Sequence, residues 1–121
     1  MKYILIFFLC LRVINSANEI TVAVSFSMCD KAIQQLYKSV TKAGGILVIR
    51  GLYKNSFKET AKKLHELKIA VQVDPDFFKK FNITCVPTFV MEKNKKKSML
   101  SGHITFKKAM EILSEDLEYE S

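Results

Sequence analysis

Two periods of apolar residues alternate along this chain. Residues 20–26, "ITVAVSF", form a β-branched apolar run of the kind that makes a buried strand. In residues 28–44, "MCDKAIQQLYKSVTKAG", the positions Ala32, Ile33, Leu36, Tyr37 and Val40 share one helical face, and Gly44-Gly45 stop the helix. Residues 46–51, "ILVIRG", return to a continuous apolar run ending at Gly51. Ser56 and Glu59 then form a capping box for a second helix over 56–69, whose apolar face is predicted to be Phe57, Ala61 and Leu64. A short strand, "AVQVD" (70–74), leads into a brief helix with Asp74 as N-cap and Pro75 at its first position. "PTFVME", the charged turn "KNKKK" and "SMLSG" read as a hairpin over 87–102. Thr105 caps a last helix bearing Phe106, Ala109, Met110 and Leu113.

The predicted order is β-α-β-α-β-α-β-β-α. Strands alternating with helices imply a parallel α/β core, and the late hairpin makes the sheet mixed. One residue strains this reading. The strand-like stretch "FNITCVPTFVM" (81–91) carries Pro87, although proline has no N–H to give to a ladder and is normally excluded from central strands. From the residues alone, an edge-strand proline in trans is one answer.

Residues 1–17 fall outside that alternation. Lys2 is a small positive region, Ile4 to Leu11 an apolar stretch, and Ser16-Ala17 the small residues before a cleavage point, so a secretory signal peptide is expected, with residues 18–121 forming one domain. The stretch is short for a bilayer span, which takes roughly 20 apolar residues; an uncleaved anchor is the alternative. Export to the periplasm follows from the cleaved reading.

Composition adds limits. The 121 residues are 49% hydrophobic, enough for one ordinary core and too much for a disordered chain. Cleavage would remove two of the 19 basic residues, Lys2 and Arg12, and none of the 12 acidic ones, leaving a net charge of +5. Those charges are almost all lysines interleaved with apolar positions at helical spacing or crowded into a turn. That is the pattern of a solvated face; a nucleic-acid stripe favours arginine with exposed aromatics, and no nucleic-acid partner is expected. No Ser-His-Asp set, phosphate loop or dinucleotide glycine pattern occurs, so no cofactor is expected. His65 and His103 lack ligand spacing to cysteines or carboxylates, which argues against a metal.

The second half of the chain, from "VQVDPDFFKKFNITCVPTFV" onward, resembles the corresponding half of thioredoxin-like proteins, and the whole order resembles that fold with a helix and short strand inserted. The resemblance implies that Pro87 is a cis-proline beside the start of the first helix, with the residue before it leaving a backbone edge open to an extended partner. A longer resemblance covers "VSFSM" with Asp30 (24–30), "GGILVIRGL" (44–52), "NSFKET" (55–60), "VDPDFFKKFNI" (73–83) and "VPTFV" (86–90). These motifs resemble the TrbC proteins of F-type conjugative transfer systems, exported factors in pilin and pilus assembly. Where that family commonly has proline after "SFSM", this chain has Cys29.

Thiol chemistry stays open at this stage. Thioredoxin-type enzymes place C-x-x-C at the first helix's start, where helix N–H groups stabilise a thiolate. Here "SMCDKA" gives Cys29 no partner three residues away, so the dithiol is absent. Cys29 is an inert small residue, a lone activated thiol opposed by the carboxylate of Asp30, or one half of a disulfide with Cys85. Strand alternation weighs against the last, since it aims Val86 rather than Cys85 at Cys29. Arg50, the only arginine after residue 17, serves a structural ion pair or grips a partner's carboxylate or carbonyl.

The resulting expectation is a non-catalytic binding domain. Its surface comprises Ser27, Met28, Cys29, Arg50, Val86, Pro87 and Thr88, and by resemblance its partners are exported conjugation assembly proteins (TraW-like) or components of the pilin pathway. The alternative is a thiol-disulfide oxidoreductase or isomerase working through Cys29.

Overall fold

Five strands and four helices realise the predicted order. The computed structural model describes residues 19–119, so the expected signal segment lies outside it. The elements are β1 (Glu19–Ala23), α1 (Asp30–Lys42), β2 (Ile46–Ile49), a 3₁₀ turn (Tyr53–Asn55), α2 (Phe57–Leu67), β3 (Gln72–Val73), α3 (Pro75–Lys80), β4 (Thr88–Lys93), β5 (Lys96–Ser101) and α4 (Phe106–Tyr119). They form one sheet in the order β3-β2-β1-β4-β5. β1 is parallel to β2, and β2 to β3; β4 is antiparallel to both β1 and β5. The sheet is mixed, as the late hairpin required.

Local chemistry accounts for the element ends. The Asp74 side chain accepts the Phe77 N–H at 3.1 Å, with Pro75 behind it, and Ser56 accepts the Glu59 N–H at 3.2 Å. At the end of α1, Gly44 takes φ +81°, its N–H goes to Thr41 O, and the Gly45 N–H reaches Val40 O at 2.8 Å. Gly45 has a second reason: a Cβ there would stand 2.5 Å from the Ile20 carbonyl of β1. The hairpin turns on two residues, Asn94 (φ 51°) and Lys95 (φ 69°), a tighter turn than the five-residue stretch "KNKKK" implied.

Two faces of the sheet are covered unequally. On one, α1, α2 and α4 bury Val22, Leu47, Ile49, Phe89 and Met91 together with Ile33, Leu36, Val40, Ala109 and Leu113. Fully burying such a side chain contributes about 1.5–3 kcal/mol, so most of the fold's hydrophobic stabilisation lies here. On the other face the short α3 lays Phe78 over Ala23, Val48 and Ile83.

The second helix departs from its predicted face. Phe57 is 81% exposed and Ala61 is exposed, while Thr60, Leu64 and Leu67 turn inward. The cause is Thr60, whose hydroxyl donates to Ser56 O at 2.6 Å and accepts the Tyr53 N–H at 2.8 Å. This ties the 3₁₀ turn onto α2 and rotates the helix so that a threonine, rather than a phenylalanine, faces the protein. The first strand also stops earlier than its apolar run: after Ala23 the chain leaves the sheet, with the Val24 N–H on Val48 O at 2.9 Å as its last ladder bond.

Candidate functional site

Register brings the predicted residues to one end of the sheet. Ala23, the last residue of β1, lies opposite Thr88, the first of β4. The residues after Ala23, running through Ser25 to Cys29, are therefore neighbours of those before Thr88, Cys85 to Pro87. The Val86–Pro87 peptide is cis, as the resemblance implied.

The bend after β1 is held by its own serines. Ser27 donates both its N–H and its hydroxyl to the Ser25 hydroxyl, at 3.2 and 3.0 Å, and the Met28 N–H reaches Ser25 O at 3.0 Å. Cys29 then occupies the N-cap of α1. Its side chain makes no capping hydrogen bond, where serine or aspartate would bond an orphan N–H. The thiol is exposed and free, as is that of Cys85. Asp30 follows, and Lys63 of α2 holds its carboxylate at 3.2 Å. That partner, chiefly through the hydrogen bond to Asp30, raises the Lys63 pKa above the usual lysine value.

The proline segment is fastened from behind. Thr88 is only 1% exposed. Its hydroxyl donates to Cys85 O at 2.7 Å and lies 2.7 Å from the Ser101 hydroxyl, which completes a chain from β5 through β4 to the loop. Thr88 thus offers position rather than contact. Pro87 is also buried, and its carbonyl accepts the Gly102 N–H at 3.1 Å. Val86 is half-buried against the Phe78 cluster, and no described residue hydrogen-bonds to its backbone N–H or C=O.

Two concavities flank this peptide. On the Val86 side is a cavity of about 570 Å³ lined by the Val24–Ser27 bend, the 49–54 segment and residues 83–86, with Phe78 as part of its wall. On the Pro87 side is a groove of about 590 Å³, lined by Met28, Leu36, Ile104 and Phe106 among others, between α1 and the start of α4. The expected surface is therefore divided. Ser27, Arg50 and Val86 line the cavity, Met28 and Pro87 line the groove, and Cys29 lines neither. Cys85 belongs to the cavity.

Arg50 corrects one expectation. It forms no ion pair with any described carboxylate; its Nη2 donates to Ile83 O at 3.1 Å and its guanidinium carbon sits 5.2 Å from the centroid of the Phe78 ring. Sequence reading missed the opposite wall, Phe26 and Tyr53, whose rings meet edge to face at 5.3 Å, with the Lys54 ammonium 5.3 Å from the Tyr53 ring. The "GLYKNS" stretch signals a loop, but nothing in it announces that the loop folds against Phe26. No group of described residues has the composition of a metal site.

Comparison with known proteins bears out this architecture. The exposed lipoprotein thioredoxin Etrx1 of Streptococcus pneumoniae superimposes with a TM-score of 0.61 at 16% identity, covering 83% of this chain and 85% of that one. StoA of Bacillus subtilis gives 0.55 at 15% identity, covering 79% and 81%. The fold is thioredoxin-like; identities this low speak of the fold alone. No curated protein matches the sequence. The family model described as "Type-F conjugative transfer system pilin assembly protein" matches residues 22–120, so the chain belongs to the TrbC family of type-F conjugative systems and its role lies in conjugative pilus assembly.

Proposed function

We propose that this protein is a periplasmic, non-catalytic assembly factor that holds an extended segment of another exported conjugation component against the Val86–Pro87 peptide. The observation that carries this reading is the unpaired backbone of Val86, fixed by Thr88 and Pro87 and open between two concavities. An extended chain that hydrogen-bonds there gains main-chain affinity, and its side chains enter the flanking hollows for specificity. Met28 supplies an adaptable apolar contact on the groove side. Partners fitting this reading are a TraW-like protein or a member of the pilin pathway. Residues 1–17 serve as the export signal, and among the described residues no helix is long and apolar enough to cross a membrane. The test is partner capture by Val86→Asp in cells, with folding checked by thermal unfolding. Capture should be lost in a folded protein; undiminished capture refutes the reading.

A second reading rests on Cys29, an exposed thiol at a helix N-cap with no side-chain hydrogen bond. It makes the protein a thiol-disulfide oxidoreductase or isomerase, with Cys85 resolving the mixed disulfide. Complementation of a deletion strain by the Cys29→Ser/Cys85→Ser double variant separates the two. Wild-type pilus assembly supports the binding reading; loss at normal protein level supports the thiol.

A further inference from the structure

We infer that the cavity beside Val86 is a carboxylate-reading subsite, which receives an aspartate or glutamate side chain of the segment held at Val86; this rests on the binding mode proposed above. Arg50 is its centre. Its guanidinium has five N–H donors, and the fold uses one on the Ile83 carbonyl and lays the group near the Phe78 ring. Those two contacts fix the guanidinium while supplying no anion. The remaining donors have no partner among the described residues, and a planar fork held in this way suits a carboxylate.

The rest of the lining agrees with an acceptor ligand. The Ser25 hydroxyl accepts two hydrogen bonds from Ser27, and its own proton has no acceptor among the described residues. Thr84 adds a second hydroxyl, and Lys54 a second positive charge, near Tyr53 on the far wall. No carboxylate of the described residues lines the cavity. Asp30, at the neighbouring start of α1, is already held by Lys63, which itself lies 5.7 Å from the Tyr53 ring. The volume of about 570 Å³ falls in the range of small-ligand sites and has room for one acidic side chain with its flanking backbone.

The groove on the other side of the peptide sharpens the expected ligand. Side chains of an extended strand alternate between faces. A residue whose carboxylate meets Arg50 therefore has neighbours directed toward Met28, Leu36 and Phe106, where an apolar side chain fits. The recognised segment is acidic and apolar at adjacent positions.

The test is selection of short random peptides against the full-length wild-type protein, then titration of the best binder and its Glu→Gln or Asp→Asn analogue. The expected binder carries an acidic residue beside an apolar one, and its amide analogue binds about tenfold more weakly, a difference that shrinks with added salt and vanishes against Arg50→Gln. Because Arg50 also braces Ile83, the acid-to-amide ratio on the wild-type protein decides the question independently of that variant's folding. Equal binding of acid and amide peptides, with loss on Val86→Asp, overturns the subsite and leaves the binding mode standing. Dependence on a free peptide C-terminus rather than the internal acid also overturns it. Failure to enrich any peptide that is sensitive to Val86→Asp overturns both.

Discussion

The two hollows beside the cis peptide are built differently. The groove on the Pro87 side is walled by Leu36 of α1 and Phe106 of α4, residues that also belong to or pack against the main core. The cavity on the Val86 side has a floor of core residues, Val24, Ile49, Phe78 and Ile83, but its rim is loop, where Arg50 is held by one hydrogen bond and a ring contact and Phe26 and Tyr53 by their edge-to-face rings. A wall made of core cannot change without cost to folding, whereas a wall made of loop can change its chemistry at little cost. In the proposed binding mode the cavity rim is thus the side on which partner specificity is free to be set, and the groove the side fixed by the fold.

That contrast predicts unequal responses to substitution. Leu36→Ala should have the largest effect on stability, a loss of about 2–5 kcal/mol by denaturant unfolding, since it empties a core position while opening the groove. Phe26→Ala, on the cavity side, should cost clearly less, because Phe26 is only partly buried; an equal loss would break the contrast. Thr88→Val should cost about 1–3 kcal/mol by leaving the Cys85 carbonyl and Ser101 hydroxyl without their partner, and should weaken capture by loosening Val86. Val86→Asp should reduce capture about tenfold or more while costing less stability than Leu36→Ala.

The smallest effect concerns the brace between the two helices flanking the site. Lys63→Gln removes the partner of Asp30 and should lower Tm slightly at neutral pH, since the Asp30 carboxylate is half-exposed and such pairs contribute little. The pKa of Lys63 is raised in the fold, so its contribution is present below the ordinary lysine value and is lost as pH rises through the raised one. On the alkaline side, the Tm difference between wild type and Lys63→Gln should therefore close only at strongly alkaline pH. A difference that closes near neutrality would rule out this ion pair as its source.

Legibility in the sequence followed the range of the interactions. Asp74-Pro75, Ser56 and Thr105 were readable as helix starts because each cap bonds an N–H three residues on. Phe57 was misread because helical periodicity gives the spacing of a stripe but not which stripe faces inward, and here Thr60 decided it by bonding to the turn at Tyr53. Ser27, Arg50 and Val86 could be named from motifs, yet their grouping on one side and of Met28 and Pro87 on the other could not.

By itself the sequence determined the order of strands and helices, the absence of a C-x-x-C dithiol, and the family motifs around "VPTFV". These depend on neighbours within a few residues, where spacing, capping and side-chain type act directly. Only the tertiary structure decided that Arg50 finds a carbonyl and a ring instead of a carboxylate, and that Tyr53 meets Phe26 across a cavity. Those contacts join residues about thirty positions apart, and strand pairing, which sets such distances, depends on packing that no short stretch contains.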